Sequence, residues 1–65
     1  MGKTYSSREI IKRIEADGWY LVDTVGDHRQ YKHPTKKGRV TIPHPKKDMG
    51  KYEIASIARQ SGVKL

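Results

Sequence analysis

Glycine and proline punctuate the middle of this chain so closely that only short strands fit there. Gly18, Gly26, Pro34, Gly38 and Pro43 leave at most seven residues between successive breaks, which is strand length and too short for a stable helix. Helices are therefore confined to the ends, before Gly18 and after Gly50. The chain has 65 residues and no cysteine, so neither a disulfide framework nor a thiolate zinc site can staple it. Residues 1–65 must form one small domain around one core, near the lower limit at which a chain folds alone.

Each end carries a helix signature. Ser6-Ser7-Arg8-Glu9 fits a capping box, and Tyr5 with Ile10 fits the hydrophobic staple across it. Ile10, Ile11 and Ile14 form an apolar stripe, Lys12, Arg13 and Glu15 face out, and Asp17-Gly18 supplies the stop, giving a helix over about 7–17. A second helix over about 51–61 follows from Ile54, Ile57, Ala58 and Ser61 at i, i+3, i+4 and i+7, with Glu53 in the first turn and Gly62 at the end. Met1 to Ser6 also fits a loose N-myristoylation pattern, but Ser6 has the better use as a cap.

Between the helices the sequence predicts a three-stranded meander. Residues 19–25 are aromatic and β-branched. Trp19, Leu21 and Val25 are expected to face the core, with Tyr20 and Val22 as the alternative set. A strand over about 28–33 stops at Pro34, residues 35–38 turn, and 39–42 alternate with Val40 and Ile42 inward. The simplest way to bury each stripe once is an α+β fold of order α-β-β-β-α, with an antiparallel sheet and both helices on one face. The other face is left open.

Alternation decides what the open face carries. If Tyr31 points into the core, His28, Gln30 and Lys32 share the opposite face, and Arg39 and Thr41 join them from the third strand. Gly26-Asp27 makes the turn that presents His28, exposed at a hairpin mouth. Histidine is the side chain best suited to moving protons near neutrality. His28 and His33 are an odd number of residues apart and project to opposite faces, so they cannot share an ion, and no metal-ligand or nucleotide-loop spacing occurs elsewhere. His33 and His44 are read mainly as structural or ligand-contacting. No metal or cofactor is expected.

Fourteen Lys and Arg against seven Asp and Glu give a net charge of +7. The cations Arg29, Lys32, Lys36, Lys37, Arg39, Lys46, Lys47 and Lys51 crowd the second half, where the lysines of the 44–50 loop are expected to be free to reach a ligand. Polyanions are the natural partners of such a surface. No run is apolar enough for a signal peptide or a membrane span, and neither helix pairs a basic face with large exposed aromatics, so no membrane partner is expected. A phosphodiester site that uses a histidine and cations suits RNA, whose 2′-OH supplies the nucleophile, better than DNA. Patterning alone leaves two readings open: an RNA endonuclease using His28, and a non-catalytic RNA-binding module in which His28 only contacts the backbone.

The stretches Gly26-Asp27-His28-Arg29-Gln30-Tyr31-Lys32-His33-Pro34, Arg39-Val40-Thr41-Ile42-Pro43 and Ile57-Ala58-Arg59-Gln60-Ser61-Gly62 resemble the HicA family of toxin ribonucleases. The likeness covers about residues 5–63. It implies a fold like a double-stranded-RNA-binding domain, an mRNA interferase activity and neutralisation by a HicB-like antitoxin; a metal-free reaction is expected from the lack of metal-ligand spacing, and a cytoplasmic home from the lack of cysteine. The likeness implies His28 as the catalytic histidine; charge and strand alternation, not the likeness, make Arg29, Gln30, Lys32, Lys36, Lys37, Arg39, Thr41, Lys46 and Lys47 the candidate RNA contacts. Asp27 stands where the family usually has Ser, a departure that bears on pH optimum more than on the identity of the histidine.

Overall fold

The computed structural model describes residues 5–65; Gly2, the acceptor in the lipidation pattern, lies outside them. The elements run α1 (Ser7–Ala16), β1 (Tyr20–Val25), β2 (His28–Lys32), β3 (Val40–Pro43) and α2 (Lys51–Ser61). The strands form one antiparallel sheet in the order β1-β2-β3. Both helices lie on one of its faces, giving the α+β, double-stranded-RNA-binding-domain-like arrangement.

Helix α1 starts where its local chemistry requires. Ser6 Oγ accepts from the Glu9 N–H at 3.2 Å, and Glu9 Oε1 accepts from the Ser6 N–H at 3.0 Å. At the other end the Gly18 N–H donates to Glu15 O and the Trp19 N–H to Ile14 O, the paired bonds that close a helix through a residue of positive φ. Gly18 has φ +112°. Trp19 follows it into the core, 2% exposed, and its indole N–H donates to Ser61 O at the end of α2.

Ile10, Ile11 and Ile14 of α1, Tyr31 of β2, Val40 and Ile42 of β3 and Ile57 of α2 meet in one cluster with Tyr5, Trp19 and Met49. The register explains the membership: Tyr31 lies opposite Val40, so both point to the helical side. Met49 joins because residues 44–50 are tied to the start of α1 and the residue two before it, through the Ser7 N–H to Lys46 O at 2.8 Å and the Met49 N–H to Tyr5 O at 2.9 Å.

Strand β1 departs from expectation. Trp19 is buried, but Leu21 and Val25 are 45% and 56% exposed, and the alternative pair, Tyr20 and Val22, is exposed as well. The helices pack over β3 and leave β1 uncovered on both sides. A register shift between Leu21 and Asp23 also breaks the alternation. Leu21 lies opposite Tyr31 on the helical side, whereas Val25 lies opposite His28 on the open side.

Candidate functional site

Three cross-strand rungs build the open face. Val25, His28 and Pro43 form one, Asp23, Gln30 and Thr41 the next, and Tyr20 pairs with Lys32 beyond them. Burial of Tyr31 at 1% exposure anchors the parity of β2 and turns His28, Gln30 and Lys32 outward. Arg39 lies just ahead of β3, and its guanidinium donates to Gln30 Oε1 at 2.7 Å. The face thus joins a histidine, an amide-held guanidinium, a hydroxyl and an ammonium.

His28 stands at the hairpin mouth with its side chain 56% exposed. Asp27 Oδ1 is 3.4 Å from its Nδ1, on a side chain still more open to water, at 74%. Among the described residues, no three His, Cys, Asp or Glu come together in a group that could hold a metal ion.

Several residues singled out for charge take other positions. Arg29 lies opposite Thr24 and Ile42 on the helical side and opens onto a depression shared with Arg8, Lys12 and His44. Burial pushes the neighbouring Tyr31 phenol up, and the Arg29 guanidinium pulls it the other way. Lys36 is a structural cation: its ammonium donates to Asp17 Oδ2 at 2.6 Å and to Ser61 O at 3.1 Å, reaching the ends of both helices. That hydrogen bond, against a smaller opposing effect of desolvation, holds the Asp17 carboxyl below its ordinary value.

The loop of residues 44–50 is also less free than expected. Lys46 binds both oxygens of Glu53, at 2.7 and 2.8 Å, and its backbone N–H donates to the Ser7 hydroxyl. The Lys46 ammonium holds Glu53 below its ordinary value, helped by the Gly50 N–H. Lys37 and Lys47 remain exposed.

The two other histidines have structural partners. His33 Nδ1 accepts from the Thr35 and Lys36 N–H groups, which leaves Nε2–H to donate to Asp17 O at 2.7 Å, and its ring packs edge-on against Trp19 at 5.2 Å. His44 Nδ1 sits 2.7 Å from the fully buried Ser7 hydroxyl, and the His44 backbone N–H donates to Asp27 O, bracing the hairpin that carries His28. Neither reaches the open face.

Sequence reasoning passed over Tyr52, which is 83% exposed in the first turn of α2, and Gln60, whose Oε1 accepts from the Thr41 N–H at 3.4 Å. Only the position of α2 beside β3 brings them near the face.

No helix among the described residues is long and apolar enough to cross a membrane. No curated protein matches the chain. The family model described as the HicA toxin of bacterial toxin–antitoxin systems matches residues 7–63, the span that holds every element of the fold and the open face, and the chain therefore belongs to the HicA toxin family.

Proposed function

We propose that this toxin is an mRNA endoribonuclease whose open sheet face binds single-stranded RNA and whose His28 moves a proton during cleavage. The observation that carries the reading is the grouping of His28, Gln30, Lys32, Arg39 and Thr41 on one exposed face. In the reaction the 2′-OH attacks the adjacent phosphorus and the bond to the 5′-oxygen breaks, leaving a 2′,3′-cyclic phosphate and a 5′-hydroxyl. One proton leaves the 2′-oxygen and one arrives at the 5′-oxygen. An imidazole in the matching protonation state serves either transfer, and Arg39 with Lys32 offsets the charge that gathers on the phosphorane oxygens. The attacking group belongs to the substrate, so the chemistry requires no metal.

An antitoxin partner comes with the family. A HicB-like protein with an acidic surface would silence this face by covering His28 and excluding RNA, and opposite charge would speed the encounter.

The test incubates folded wild type and His28→Ala with single-stranded RNA, with and without chelator. Wild type is expected to cut in both conditions, and His28→Ala to cut about a hundredfold or more slowly. Stability should change by about half a kcal/mol or less, because the side chain is exposed, and RNA binding should persist. Cutting by the variant at the wild-type rate would remove His28 from the mechanism. Intact RNA after incubation with wild type would leave a non-catalytic RNA-binding module.

A further inference from the structure

A groove of about 320 Å³ runs between β3 and α2, lined by Thr41, Pro43, Tyr52, Glu53, Ser56 and Gln60 among others. It is continuous with the open face, since Pro43 lies opposite His28 and Thr41 opposite Gln30, and neighbouring strands are only about 4.8 Å apart.

Its chemistry differs from its surroundings. On a chain of net charge +7 the groove is nearly neutral: Thr41, Pro43, Tyr52, Ser56 and Gln60 carry no charge, and both Glu53 oxygens are held by Lys46. Such a lining offers little to a phosphate. It offers a planar ring both a stacking surface and a polar edge. The Tyr52 ring is 83% exposed and takes no part in the core, and the Lys51 ammonium lies 5.8 Å from its centroid, placed to meet a backbone phosphate beside a stacked base. Gln60 is fixed by accepting from the Thr41 N–H and donating to Ser56 Oγ at 3.0 Å. One amide N–H and a carbonyl lone pair remain to meet a base edge.

We propose that this groove holds one nucleobase of the bound RNA, stacked on Tyr52 with its edge towards Gln60, next to the phosphate at His28. The proposal rests on RNA being the ligand of the open face and extends that reading to a base-binding subsite.

The test measures binding of labelled single-stranded oligoribonucleotides by fluorescence anisotropy in a His28→Ala background, where the RNA stays uncut. A set of oligonucleotides carries a single abasic nucleotide at successive positions. Tyr52→Ala should weaken binding of intact RNA about tenfold, the order expected for losing one stacked base. Tyr52→Trp should restore it. One abasic position should cost the same factor in the parent and nothing further in Tyr52→Ala. Unchanged binding by Tyr52→Ala, or a loss that is the same for every abasic oligonucleotide, would overturn the subsite. Its failure is separable from that of the nuclease reading. If wild type leaves RNA intact but Tyr52 is coupled to one base, the subsite stands and the nuclease falls; RNA that is cut without such coupling gives the reverse. Absence of any RNA binding overturns both.

Discussion

Lys36 spends its charge inside the fold. Its ammonium touches the Asp17 carboxylate and the Ser61 carbonyl, where a cation is favoured because the carbonyl end of a helix is electronegative. Lys37, next in the chain, is exposed. Two adjacent lysines with the same apparent purpose therefore separate by role. Lys36→Ala is expected to lower the thermal midpoint and leave the salt dependence of RNA binding unchanged. If Lys37 contacts RNA, Lys37→Ala should leave the midpoint in place and shallow the slope of log affinity against log salt by about 0.7, the value for one phosphate contact on a single strand. Melting curves and salt titrations on the two variants check both halves. Sequence could not make this distinction, because the partners of Lys36 lie 19 and 25 residues away. The parity of His28 could be read, because alternation along a short strand needs only one secure reference, and Tyr31 supplied it.

Among the elements, α1 and β1 mark the two extremes of legibility. The start of α1 is written in four consecutive residues, and its stop in a glycine whose φ of +112° other residues rarely adopt. A Cβ at Gly18 would also sit 2.9 Å from the His33 ring. Gly18→Ala is therefore expected to destabilise the protein by about 2 kcal/mol, read as a midpoint lower by roughly 10 °C for a domain this small. An unchanged midpoint would mean that the helix end rearranges at no cost. The exposure of β1 was illegible because burial depends on what lies above a strand, and both helices settle over β3. The loop before α2 concealed Met49 for a similar reason, since its burial follows from a bridge to Tyr5 at the far end of the chain.

The whole molecule is electrically lopsided. Residues 14–28 contain no Lys or Arg but hold Glu15, Asp17, Asp23 and Asp27, four of the seven acids. The β1 end is therefore acidic and the β3 and α2 end basic, which would orient an approaching polyanion towards Arg39 and Lys51. Acid stability follows from two of the ion pairs. Asp17 and Glu53 have folded values held below their ordinary 3.8 and 4.5. The stability they confer is thus fully present above those values and is lost as pH falls through the lower folded ones. The midpoint difference between wild type and Asp17→Asn together with Glu53→Gln should stay constant from pH 7 to about 5 and shrink as pH falls below the ordinary values, so that wild type declines the more steeply there. A difference that stays constant down to about pH 3 would contradict it. The turn between β2 and β3 has a practical side. By its exposure it would attract anyone splicing in a tag or cutting the chain to rejoin it elsewhere. Because His33 and Lys36 fasten it to the ends of α1 and α2, such surgery would unfasten both helices at once, and a graft there should be chosen only by someone who wants the fold to open.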